Sequence, residues 1–139
     1  MRALFLALVF VFVFAGCKKA RTSHVYEIPQ GFTGWVLIEF GRTNCPPITK
    51  RDAKLIFQIG KDGRFCTSSA PEFGWAKDAY FYVGKSRTEI PSTVSGRGGL
   101  IWGGGTGSVQ VGSLERTYET FYVGTEEQFK QAAKQPIPE

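Results

Sequence analysis

The chain has 139 residues, 42% of them hydrophobic, with 17 basic and 12 acidic side chains and a formal net charge of +5. That length suits one domain with a core of its own. The basic residues are scattered, with Lys50, Arg51 and Lys54 the one dense cluster beyond the N-terminal segment, so the concentrated basic face of a nucleic-acid binder is missing and no nucleic-acid partner is expected.

Arg2 provides a minimal positive start, and Ala3 to Ala15 is an unbroken apolar run. A membrane-spanning helix needs about 20 apolar residues, so this run reads instead as the apolar region of a secretory signal peptide. Ala15-Gly16-Cys17 then resembles the lipobox of bacterial lipoproteins, with Phe14 standing where Leu is usual. The resemblance implies that residues 1–16 are removed and that Cys17 becomes an acylated N-terminus. Residues 17–23 are then a lipidated tether and residues 24–139 a single β-rich domain. An uncleaved anchor is disfavoured by length, and an ordinary signal peptide would leave the position of Cys17 unexplained. Two or more acyl chains hold a protein stably at a bilayer. Lys18, rather than Asp, follows the cysteine. The expected location is therefore the bacterial cell envelope, lipid-anchored at the outer membrane and facing the periplasm or the surface.

His24 to Ile28 is read as a first strand, ended by the turn Pro29-Gln30-Gly31. Gly34 to Phe40 is the clearest strand, with Val36, Ile38 and Phe40 on one face and Trp35, Leu37 and Glu39 on the other; Trp35 is read as core. Gly41 to Ala53 is a loop stiffened by Pro46-Pro47. Lys54 to Ile59 and Arg64 to Thr67 flank Asp62-Gly63, a hairpin signal because the favoured turn needs positive φ at both central positions. Ser68 to Asp78 is irregular, Ala79 to Val83 is an aromatic strand and Lys85 to Ser95 a polar connection. Gly96 to Gly107 reads as a mobile glycine-rich loop whose removal would leave the fold intact. Ser108 to Val111 and Tyr118 to Val123 are strands. Thr125 opens a helix with a capping box completed by Gln128, Glu126 and Glu127 at its positive end, and Pro136 and Pro138 beyond it. The pattern is mainly β: an antiparallel β-sandwich of transthyretin or Ig-like type with one short C-terminal helix, an open barrel being the alternative.

With Cys17 assigned to lipid, Cys45 and Cys66 form an even pair in an exported domain and are expected to be disulfide-bonded. Free thiols come next and a metal site last, since His24 is the only His and no ligand spacing is present. No metal or cofactor is expected. Gly103-Gly104-Gly105-Thr106-Gly107 lacks the following helix and the Lys of a phosphate loop. Trp75, Trp102 and the glycines Gly103, Gly104 and Gly105 are the candidate binding residues, with Trp75 the one expected to be exposed and Trp102 either presented to a partner or packed as a lid. Trp35, Trp75 and Trp102 together are the candidate stacking platform for a glycan. For catalysis, no Gly-x-Ser-x-Gly elbow occurs. His24 lies beside the tether, where a rigid site is not expected. Glu39 and Asp62 are a candidate carboxylate pair that nothing in the sequence brings together.

Ile28-Pro29-Gln30-Gly31-Phe32-Thr33-Gly34-Trp35-Val36, Pro46-Pro47, and Asp62-Gly63 ahead of Thr67-Ser68-Ser69 resemble a family of small bacterial lipoproteins of unknown function. Phe121-Tyr122-Val123-Gly124-Thr125-Glu126-Glu127-Gln128-Phe129 is similar to that family's C-terminal segment. The resemblance covers most of residues 17–139 and implies an exported domain without naming an activity. The expectation is a non-enzymatic binding or scaffolding module attached to the membrane through its lipid, with an envelope protein or glycan as partner. The alternative is an envelope hydrolase or carbohydrate-processing enzyme with two carboxylates in an acidic cleft.

Overall fold

The computed structural model describes residues 19–92 and 99–139. The segment read as a signal peptide, Cys17 and Gly96 to Gly98 lie outside the described residues. In chain order the elements are β1 (His24–Pro29), β2 (Gly34–Glu39), β3 (Thr49–Arg51), β4 (Lys54–Gln58), β5 (Arg64–Cys66), β6 (Ala79–Val83), β7 (Arg87–Glu89), β8 (Ile101–Val111), β9 (Leu114–Val123) and α1 (Glu126–Gln131).

The strands form two sheets, ordered β3-β4-β1-β6-β7 and β5-β2-β9-β8. Both are mixed. β1 runs parallel to β4 and to β6, and β2 runs parallel to β5, while the β2–β9, β8–β9, β3–β4 and β6–β7 pairs are antiparallel. This corrects the expectation of a purely antiparallel, transthyretin or Ig-like arrangement. The centre of the first sheet is β1, whose burial on both faces suits a strand flanked by parallel neighbours.

The two sheets share one core. Tyr26, Ile28 and Phe57 from the first meet Val36, Ile38, Phe121 and Val123 from the second, all fully or almost fully buried. Tyr26 stacks on Tyr80 with centroids 4.7 Å apart and meets Phe121 edge-on at 5.0 Å. The other face of the second sheet carries α1. Phe129 stacks on Trp102 at 6.0 Å and touches Trp35 and Tyr122. Trp35 therefore packs beneath the helix rather than in the core between the sheets, and its Nε1–H donates to the Ala133 carbonyl at 2.8 Å. The capping box at Thr125 and Gln128 is present, but the helix ends at Gln131, ahead of the prolines.

Three further expectations are corrected. Asp62-Gly63 is a tight turn, with Arg64 N–H donating to Asp62 Oδ1 at 3.0 Å, yet it makes no hairpin. Both edges of β4 are already taken by β3 and β1, so the turn carries the chain across to the second sheet, where β5 pairs with β2. The two-residue hairpin turn lies earlier, at Asp52-Ala53, where both residues have positive φ (49° and 58°) and join β3 to β4; β3 lies inside the segment read as loop. Finally, Ile101 to Gly107 belongs to β8, paired along β9 with a register shift between Trp102 and Gly105. Removing this stretch would take away much of an edge strand. The glycines here make room: at Gly103, with φ +60°, a Cβ would come within 3.0 Å of the Phe129 ring. Glycine in a strand commonly marks such a bulge or close approach.

The expected disulfide is present between Cys45 and Cys66, with Cα atoms 5.8 Å apart. It ties the loop after β2 to the end of β5.

Candidate functional site

One end of the core is polar. On β9 the residues facing the first sheet alternate: Val123 and Phe121 are apolar, and the next on that face, Glu119, is a carboxylate. On β1, Ile28 and Tyr26 are followed outward by His24 in the same way. These groups meet. The Tyr26 hydroxyl donates to Glu119 Oε1 at 2.5 Å, and His24 Nδ1 lies 3.1 Å from the same hydroxyl. A tyrosine has one proton to give. With that proton committed to Glu119, Nδ1 carries the hydrogen that the Tyr26 oxygen accepts, so Nε2 of a neutral His24 keeps a bare lone pair. His24 is only 3% exposed, and its Nε2 is buried with no hydrogen-bond partner among the described residues.

Burial dominates the electrostatics. It lowers the His24 pKa, and the Arg21 cation lowers it further. It raises the Glu119 pKa against the opposing hydrogen bond from Tyr26, and it raises those of Tyr26 and Tyr80. The remaining charges are held in pairs. Arg21 grips Asp78 with two hydrogen bonds, of 2.9 and 2.6 Å, and Asp78 also accepts from the His24 backbone N–H at 2.9 Å. Glu72 accepts from the Thr22 N–H at 2.9 Å, which lowers its pKa.

Around these residues lies a cavity of about 240 Å³. Its walls include Arg21, His24, Glu72 and Glu119, with Gly104, Gly105 and Thr106 of β8 on one side and Phe73 at the rim. The charged groups on its wall are largely spoken for, and the His24 lone pair is the buried group left wanting a donor. A ligand that presents a hydroxyl or amine hydrogen supplies what is missing. Among the described residues there is no group of three or more His, Cys, Asp or Glu placed to hold a metal ion, and no helix long and apolar enough to cross a membrane.

Of the residues singled out from sequence, Gly104 and Gly105 line this cavity. Gly103 lies under Phe129 instead. Trp102 is half-buried against α1, its Nε1–H donating to the Gly124 carbonyl at 2.8 Å, which is the lid arrangement. Trp75 is exposed, at 62%. The three tryptophans form no common platform, since Trp35 and Trp102 pack on Phe129 while Trp75 pairs with Ala20. Glu39 binds Arg42 and Asp62 caps its own turn, so that carboxylate pair is not assembled. His24, expected beside a loose tether, is instead fixed in a central strand. Sequence reasoning also missed Arg21, Glu72 and Glu119. A signal for Glu119 was there: it shares strand parity with Phe121 and Val123, so a period-two reading puts it on the apolar face.

Residues 20–133 match the model of the DUF6843 family, a family of unknown function. The fold is similar to a crystal structure called "Putative Lipoprotein from Bacillus anthracis". The TM-score is 0.65 and the identity 25%, over 85% of this chain and 82% of that one. No protein with a curated description matches the sequence.

Proposed function

The chain belongs to the DUF6843 family of unknown function, and we propose that it is a lipid-anchored protein of the bacterial cell envelope whose domain is a non-enzymatic binding module. The resemblance of Ala15-Gly16-Cys17 to a lipobox and the similarity to a protein called a lipoprotein support the anchor. The outer membrane is the proposed location, because Lys18 follows Cys17. The binding site is the cavity between β1, β8 and β9, and its ligand is a hydroxyl-bearing molecule such as an envelope glycan. The observation that carries this is the unpartnered, buried Nε2 of His24, a residue that lines the cavity. An unsatisfied buried acceptor is costly to keep, roughly 1–3 kcal/mol, and a ligand hydroxyl removes that penalty.

The test is binding of soluble cell-wall muropeptides and neutral oligosaccharides by calorimetry, for the wild type and for His24→Phe. Binding by the wild type that is lost in the variant, while the variant's unfolding midpoint stays close to that of the wild type, supports the reading. Absence of binding across the panel counts against it. Release of reducing ends from the same panel would favour a hydrolase instead, with Glu72 and Glu119 as the carboxylates that share the cavity.

A further inference from the structure

The segment Phe73-Gly74-Trp75 lies in an irregular stretch, yet its backbone is fixed. Trp75 N–H donates to the Lys19 carbonyl at 2.9 Å, Arg21 N–H donates to the Trp75 carbonyl at 3.2 Å, and Ala20 and Trp75 form a parallel bridge. The first described residues of the chain are thus clamped against Trp75. Cys17 precedes Lys19 by two residues. At no more than about 3.6 Å per residue, its Cα lies within roughly 7 Å of that of Lys19. Wherever acyl chains on Cys17 enter a bilayer, Trp75 is held close to the same spot.

The surface at that spot suits a lipid. Phe73 and Trp75 are 63% and 62% exposed, more than any other large apolar side chain among the described residues. Exposed Lys19 and Lys77 stand beside them in sequence or across the bridge. Nearby acids are occupied, Glu72 by the Thr22 N–H and Asp78 by Arg21. Tryptophan flanked by lysine is the composition of a membrane interface, where the ring sits at headgroup depth and the ammonium groups meet anionic lipid.

We infer that Phe73 and Trp75 are a second attachment of the domain to the bilayer that carries its lipid. This rests on the anchor reading above. The acyl chains hold the protein at the membrane, and the aromatic pair, kept there at high effective concentration by the short link, sets how the domain is turned. Phe73 and Gly74 also line the cavity, so its rim is brought to the lipid surface.

The experiment uses full-length protein extracted from membranes and reconstituted in phosphatidylcholine–phosphatidylglycerol vesicles whose acyl chains carry bromine at defined depths. Tryptophan emission is read for the wild type and for Trp75→Phe, with the intact mass of each preparation. Trp35 and Trp102, packed against α1, supply a constant background. The expected result is quenching strongest for the shallowest bromines and lost in Trp75→Phe, with Cys17 acylated. Acylated Cys17 with the same quenching in both proteins, or with none, overturns the contact alone. A Cys17 without lipid overturns the anchor reading and the inference with it.

Discussion

Tyr26, in the centre of one sheet, donates its phenolic hydrogen to Glu119 of the other at 2.5 Å. This bond closes the polar end of the core and orders His24 behind it. Tyr26→Phe leaves the buried Glu119 carboxylate without its donor and His24 Nδ1 without its acceptor. We expect a loss of about 2 kcal/mol in urea unfolding. Glu119→Gln keeps an acceptor for the hydroxyl and removes the charge, so its loss should be smaller. Equal, negligible effects of the two variants would show that the chain of bonds does not hold the sheets.

The same groups set opposite pH dependences. Glu119 holds its proton more tightly in the folded state than its ordinary value of 4.5 implies, so its contribution is fully present below pH 4.5 and lost as pH rises through the raised folded value. His24 holds its proton less tightly than its ordinary value of 6.5 implies. Its contribution is present above pH 6.5 and lost as pH falls through the lowered folded value. Unfolding midpoints across this range should decline less on the alkaline side for Glu119→Gln and less on the acid side for His24→Asn. A variant with the wild-type profile removes its residue from the account.

The two turns predict opposite outcomes for exchanging glycine and alanine. Ala53 sits at φ 58°, where a Cβ is strained, so Ala53→Gly should stabilise the domain by about 0.5–1 kcal/mol. Gly63 has φ +76°, and a Cβ there would lie 2.5 Å from the Trp35 carbonyl and 2.8 Å from the Phe32 ring. Gly63→Ala should cost more than 2 kcal/mol, because steric overlap adds to the roughly 1 kcal/mol of backbone strain. Gly31→Ala, with φ +77° but nothing within 4 Å, isolates the strain alone. Thermal unfolding of the three variants checks the order.

Cys45 and Cys66 are 21 residues apart in sequence. In the chain-entropy account, closing a loop of this size contributes roughly 3 kcal/mol. The double Ser variant should unfold at lower denaturant by that amount and be insensitive to reductant, whereas the wild type should shift only when reduced. A wild type that ignores reductant under unfolding conditions would deny the bridge a role.

Alternation made β2 and β4 legible, aromatic content made β6 legible, the second part of β9 was read from Tyr118 to Val123, and the Thr125 capping box announced α1. The short strands β3 and β7 were hidden because all their residues are exposed and polar, leaving no apolar rhythm to read. The first part of β8, Ile101 to Gly107, was hidden by its glycines, which signal a loop locally but here let Phe129 and a bulge sit close to the sheet, whereas Ser108 to Val111 was read as strand. Asp62-Gly63 was rightly read as a turn and wrongly as a hairpin, since local chemistry does not say whether the edge of β4 is free. The cavity was out of reach for a related reason: Arg21 with His24, Glu72, and Glu119 come from three distant stretches, which meet only because β1 pairs in parallel with β6 and its sheet packs against that of β9.

That pairing also decides how the domain answers to force. A protein held by its N-terminus takes any pull through the residues ahead of β1. β1 is zipped along both edges, in register with β4 from His24 to Glu27 and with β6 from Val25 to Pro29. A pull along the strand loads those bonds side by side, as in shear, instead of peeling them singly. The strand that enters the domain first is thus the one best placed to bear drag on a tethered molecule, with rupture governed by the unfolding rate rather than by equilibrium stability.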